Sequence, residues 1–102
     1  GHVLIMRKEH CANIFEIDPE KAGRLFTLAA KIARAMKDVL GFENMNVLQN
    51  NGPVAGQTVN HFHLHLIPRY ENDKVNVSWP QMDLTDEQIE SVRAKLAQKM
   101  VF

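Results

Sequence analysis

Residues 61 to 67 read His-Phe-His-Leu-His-Leu-Ile, and this alternation constrains the chain more than any other feature. On a β-strand successive side chains point to opposite faces, so His61, His63 and His65 would share one face and Phe62, Leu64 and Leu66 the other. The apolar face belongs against a core. The run therefore predicts a half-buried strand whose imidazoles are free to meet a ligand. It sits between Thr58-Val59-Asn60 and Ile67-Pro68, inside the chain and among β-formers, which separates it from a terminal affinity tag.

A metal is one use of such a face. Side chains two apart on a strand are separated by about 6.7 Å and those four apart by about 13 Å. One zinc ion, with bonds of about 2.0 Å, would take two of the three at most. Geometry alone leaves open a two-histidine metal site, acid–base or nucleophilic work at a phosphate, and a purely structural arrangement.

The segment just upstream, Asn50-Asn51-Gly52-Pro53-Val54-Ala55-Gly56-Gln57-Thr58, is a glycine-containing turn. Glycines let the backbone approach a ligand and leave N–H groups to face phosphate oxygens, while Gln57 and Thr58 add an amide and a hydroxyl. The same residues also suit an ordinary hairpin loop.

With these motifs in view, the chain resembles the histidine triad family, whose signature is His-φ-His-φ-His-φ-φ with φ apolar, matched from His61 to Ile67. Gly52 to Val59 looks like that family's phosphate loop, and Gly1-His2-Val3-Leu4-Ile5 like its earlier Gly-His-apolar strand. Pro68-Arg69 is similar to the branch containing the fragile histidine triad proteins and many bacterial members.

The resemblance implies cleavage at the α-phosphate of a purine nucleotide derivative, either a nucleoside phosphoramidate or a dinucleoside polyphosphate. His63 would attack phosphorus, a nucleotidyl-histidine would form, and water would release the nucleoside monophosphate. The chemistry suits an imidazole, which at its ordinary pKa of about 6.5 is largely neutral near pH 7 and offers a bare ring nitrogen without a metal. By the same resemblance His65 would serve the leaving group as acid or electrostatic partner. His61 and His2 would form a supporting hydrogen-bond chain. Gln57 and Thr58, with the backbone at Gly56, would hold phosphate oxygens, and Asn50 would lie near ribose and phosphate. Trp79, in the tail after the triad, would reach toward the active site or a partner subunit, or else cap the core. The family is usually homodimeric, which implies a second copy of this chain as partner.

One departure bears on cofactors. The family's Gly-His-apolar strand normally follows several tens of residues that complete the sheet, whereas here it starts at Gly1, so the domain at 1–102 is expected to lack that segment and part of the nucleoside pocket. Some bacterial relatives hold structural zinc through an N-terminal Cys-x-x-Cys and two histidines at the positions of His10 and His61. Without those thiolates no cofactor is required and no metal site is expected, with structural zinc confined to a longer form of the protein.

Composition narrows the alternatives. A chain of 102 residues suits one domain, and 45% hydrophobic residues supply a core. Twelve basic against 12 acidic residues leave no field to steer nucleic acid. The single Cys11 forms no internal disulfide, and no apolar run has membrane length, so a cytoplasmic protein without membrane contact is expected.

The expected architecture is α+β: an antiparallel sheet packed against one long amphipathic helix, plus a C-terminal helix. Strands are read at residues 2–6, 45–48 and 58–67, with the histidine strand central. Asp18-Pro19 opens the long helix and Gly41 closes it. Leu84-Thr85-Asp86-Glu87-Gln88-Ile89 carries a capping box and a hydrophobic staple for the last helix, whose apolar stripe is Ile89, Val92, Leu96 and Met100. Three functions follow: a histidine-dependent nucleotidyl hydrolase or transferase, a nucleotide-binding module without turnover, and a zinc-binding module.

Overall fold

The computed structural model describes residues 1–100. Strand β1 spans Val3–Met6, with His2 just ahead of it. Helix α1, Pro19–Leu40, begins where the Asp18 carboxylate accepts from the Glu20 N–H at 2.9 Å, with proline already set in a helical φ. It ends at Gly41, whose φ of 74° turns the chain and lets its N–H donate to the Lys37 carbonyl. Leu25, Ala29 and Met36 fall on one face of α1 and are buried. Strands β2, Asn44–Leu48, and β3, His63–Arg69, complete an antiparallel sheet in the order β1-β3-β2. The histidine strand is central.

The core lies between α1 and one face of this sheet. Ile5, Leu64 and Leu66 meet Leu25, Ala29 and Met36 there, with Phe42 and Phe62 in the same buried cluster. Leu64 and Leu66 are fully buried, so the apolar half of the alternating run faces inward as its spacing requires.

Two expectations need correction. The histidine strand starts at His63 rather than at residue 58, because β1 ends at Met6 and Met6 pairs with His63. Residues 58–62 form no regular element. The strand also runs past Ile67 through Pro68, which lies opposite Met45. Pairing with β1 stops at Leu66, so Pro68 sits on a local sheet edge, where a residue without an N–H is tolerated. The structure adds a short 3₁₀ turn, Pro53–Ala55, in the glycine loop.

Past β3, Arg69 ties down the chain's exit. Its guanidinium donates to both Asp73 carboxylate oxygens at 2.9 and 3.0 Å, to Asn46 Oδ1 at 2.6 Å and to the Val75 carbonyl at 2.8 Å. Helix α2, Asp86–Lys99, opens with the expected capping box: Thr85 Oγ1 accepts from the Gln88 N–H, and Gln88 Oε1 accepts from the Thr85 N–H. Its stripe of Ile89, Val92, Leu96 and Met100 is exposed, and among the described residues α2 packs against no other strand or helix. The radius of gyration is accordingly 16.7 Å, against about 13 Å for a compact domain of this length. Among the described residues no helix is long and apolar enough to cross a membrane.

Candidate functional site

The glycine loop is held mainly by its own bonds. Gly52 and Gly56 take φ values of 90° and 95°, which allow the 3₁₀ turn to close between them. The N–H groups of Ala55 and Gln57 donate to the Gly52 carbonyl, and that of Gly56 to the Pro53 carbonyl. These donors are therefore bonded within the loop, Gly56 among them. A Cβ on Gly56 would come within 3.3 Å of Asn50 Nδ2, so glycine also makes room for the Asn50 amide. Asn50 Nδ2 lies 3.4 Å from the Gly56 carbonyl.

Gln57 is committed on both ends of its amide. Its Oε1 accepts from the Gly52 N–H at 2.7 Å, and its Nε2 donates to the carbonyls of Ala12 at 2.6 Å and Val59 at 3.0 Å. The side chain thus ties the loop to the segment before α1. Thr58, next in sequence, is exposed. Asn51 adds a second tie, its Oδ1 accepting from the Ile14 N–H at 2.7 Å.

The histidines divide into two groups. His63 and His65 lie on one face of β3, with ring centroids 4.7 Å apart. His63 is buried, at 5% exposure, and its Nδ1 lies 2.6 Å from the His61 carbonyl oxygen. A carbonyl can only accept, so His63 Nδ1 carries the proton and, in the neutral ring, Nε2 carries the free lone pair. His65 Nδ1 lies 2.9 Å from His2 Nε2. Burial, and then the charges of His63 and His2 beside it, push the His65 pKa down. The shift favours the neutral imidazole, which offers one N–H and one lone pair.

The His61 ring does not join this pair, contrary to the expectation that three imidazoles share a face. Since residue 61 precedes the strand, alternation does not govern it. Its Nε2 donates to the Arg7 carbonyl at 2.7 Å, and its ring packs edge to face with His10 at 5.4 Å. The supporting chain is two separate contacts: His61 serves His63 through its backbone carbonyl, and His2 serves His65 through its ring. Both rings of the His61–His10 pair line a cavity of about 240 Å³ with Arg7, Cys11, Lys21 and Phe62. Trp79 is largely exposed.

His10 and His61 do not amount to a metal site by themselves. Among the described residues no group of three or more His, Cys, Asp or Glu side chains is placed to hold a metal ion. Two imidazoles leave half of a tetrahedral zinc shell unfilled.

Sequence reasoning missed the acceptors that order these rings. The carbonyls of Arg7, Ala12 and His61 fix His61, Gln57 and His63, and a carbonyl has no signature because every residue carries one.

An antiparallel sheet with a histidine-bearing central strand, backed by one long helix and preceded by a glycine loop, is the arrangement of histidine triad proteins. The chain belongs to the HIT family: the HIT domain model matches residues 1–72. It is 37% identical over 101 residues to the adenosine 5'-monophosphoramidase hnt1 of Schizosaccharomyces pombe, covering 98% of this chain and 73% of that protein. It is 36% identical over 103 residues to protein hit of Bacillus subtilis, covering 98% of this chain and 71% of the relative. A crystal structure of a HIT family protein from Bacillus anthracis matches with a TM-score of 0.90 and 41% identity, over 98% of this chain and 73% of that one.

Proposed function

We propose that this chain is a nucleotidyl hydrolase that opens a nucleoside 5'-phosphoramidate at the α-phosphate through a covalent nucleotidyl-His63, and that it works as a homodimer without a metal cofactor. The observation that carries the reading is the 2.6 Å contact from His63 Nδ1 to the His61 carbonyl, which reserves Nε2 as the nucleophilic nitrogen. The relatives named as adenosine 5'-monophosphoramidases support an adenosine nucleotide as substrate.

In this reading Nε2 of His63 adds to phosphorus while the phosphorus–nitrogen bond to the amine breaks. The departing amine needs a proton. His65 supplies it from Nε2–H as an imidazolium whose Nδ1–H donates to His2 Nε2, an arrangement the 2.9 Å contact between the two rings allows. His65 is then left with a bare Nε2, which takes a proton from the water that attacks the phosphorus–Nε2 bond. Nucleoside monophosphate leaves, and both histidines return to their starting forms. Splitting the displacement in two lets the site use imidazole first and water second. A depressed His65 pKa suits the first step, since it makes the imidazolium a stronger acid toward the departing amine. Thr58 and Asn50, on either side of the loop, are assigned to the substrate's phosphate and ribose, whereas Gln57 acts by bracing the loop.

The test is AMP release from an adenosine 5'-phosphoramidate ester, with and without a chelator, for the chain and for His63→Ala. The expected result is chelator-independent release that falls by at least about a thousandfold in the variant. Binding without release by the unaltered chain would replace the enzyme with a nucleotide-binding module, and release abolished by the chelator would refute the metal-free route.

A further inference from the structure

Asn51-Gly52 is the one place in the sequence where an asparagine precedes a glycine. That pair carries a reaction of its own. The glycine nitrogen can attack the asparagine Cγ, because no Cβ on the glycine shields the approach. The bond from Cγ to Nδ2 then breaks, the proton of the glycine N–H leaves with Nδ2 as ammonia, and a succinimide ring closes. Water opens the ring at either carbonyl, giving aspartate or isoaspartate. The net change is amide plus water to acid plus ammonia, and it draws on no oxidant, metal or enzyme.

Both reacting groups are held by hydrogen bonds in the folded chain. Asn51 Oδ1 accepts from the Ile14 N–H at 2.7 Å and from Gln49 Nε2 at 2.8 Å, while Asn51 Nδ2 donates to Gln49 Oε1 at 2.7 Å. The backbone N–H of Ile14 only donates, which fixes the oxygen end of the Asn51 amide and makes the two side-chain amides a reciprocal pair. Ring closure carries the Asn51 carboxamide away from all of these partners. On the other side, the Gly52 N–H donates to Gln57 Oε1 at 2.7 Å, and Gln57 is anchored in turn on the Ala12 and Val59 carbonyls. A bonded backbone N–H gives up its proton only when the local structure opens. The restraint is thus built largely from two glutamine side chains, Gln49 directly after β2 and Gln57 just past the 3₁₀ turn.

We propose that Asn51-Gly52 is a latent deamidation site, latched by Gln49 and Gln57, and that opening of the glycine loop exposes it to irreversible conversion. The isoaspartyl product inserts an extra backbone atom before the Gly52 nitrogen, which displaces the N–H that Gln57 holds. Either product lacks the Nδ2 donor that Gln49 Oε1 accepts, and places a carboxylate in a loop that had a neutral amide. The modified loop has therefore lost bonds from the latch that restrained it. This inference stands on the bonds of the loop and is independent of what the histidines do.

Peptide mapping by mass spectrometry tests it on the full chain incubated at mildly alkaline pH, with circular dichroism to establish that each variant is folded. The folded chain should deamidate at Asn51 at least about tenfold more slowly than the same chain unfolded in urea, since reaction in the folded state waits on loop opening. Gln49→Ala and Gln57→Ala should each raise the folded rate roughly three- to tenfold by removing part of the latch. Met36→Val, a change at a buried position on α1 that touches none of these bonds, should leave the rate as it is even where it lowers Tm as far. If Gln57→Ala does not fold, Gln49→Ala decides the comparison. A folded chain that deamidates as fast as the unfolded one overturns the proposal. An equal rise in Met36→Val also overturns it, because the protection would then come from global stability rather than from the two glutamines. Conversion at another asparagine ahead of Asn51 would overturn it as well.

Discussion

Gln57 offers the sharpest test of how the loop is built. Its amide makes hydrogen bonds of 2.7, 2.6 and 3.0 Å to three backbone groups, one of them 45 residues away. At about 0.5–1.5 kcal/mol for each neutral bond, Gln57→Ala should cost about 2–3 kcal/mol, which for a domain of this size lowers Tm by about 10–20 °C. Gln57→Glu has the same shape and keeps the acceptor for the Gly52 N–H, but it places an oxygen against the carbonyls of Ala12 and Val59. Only the protonated acid can donate to one of those carbonyls, so its pKa in the folded state rises above the unfolded value of about 4.3. A raised folded pKa gives stability that is present below the unfolded pKa and lost as pH rises through the folded one. The glutamate variant should therefore be nearly as stable as the unaltered chain at pH 4 and less stable than the alanine variant at pH 8. Urea unfolding followed by circular dichroism at both pH values measures this directly. An alanine variant within about 0.5 kcal/mol of the unaltered chain, or a glutamate variant with no added pH dependence, would refute the bracing role.

Two further outcomes follow from titrating groups. The folded-state pKa of His65 is depressed, first by burial and then by the neighbouring histidines, so it contributes stability that is present above about pH 6.5 and lost as pH falls through the folded value; His65→Asn should flatten that part of the stability profile, and an unchanged slope would place the effect elsewhere. Asp73 is held far below the usual carboxylate range by the Arg69 guanidinium and then by the N–H groups of Tyr70 and Val75. Its stabilisation is present above the ordinary carboxylate pKa and lost as pH falls through the folded one, so Asp73→Asn should lower Tm at pH 7 and converge with the unaltered chain under strong acid.

What was legible in the sequence is what depends on near neighbours. Asp18-Pro19, Gly41 and the Thr85/Gln88 box each mark a helix end through contacts within a turn, and each marks it correctly. Alternation likewise assigns Leu64 and Leu66 to the core. The failures are long-range. Where β3 begins is decided by where β1 ends, some 57 residues earlier, and the His61 ring left the shared face for that reason. Gln57 suited a phosphate ligand by its position beside the triad, but the Ala12 carbonyl that occupies its amide belongs to a distant segment. The stripe on α2 was visible as a pattern, whereas its lack of packing against any other strand or helix among the described residues was not.

The two contacts that order the histidines differ in what secures them, and this ties the site to the core. His63 bonds the carbonyl two residues before it, a contact that requires only local chain geometry at the start of β3. His2 and His65 are 63 residues apart and meet only because β1 and β3 pair in one register. Leu4 stands opposite His65, which puts His2 diagonal to His65 on the same face. A slip of one residue would carry His2 to the opposite face, toward α1, and bring Ile5 out of the core. Ile5, Leu64 and Leu66 oppose that slip because all three are buried between the sheet and α1. The same apolar side chains that stabilise the sheet therefore also hold His2 at the nitrogen of His65. A core substitution that loosens the register should disturb the His2–His65 contact before the His63–His61 one.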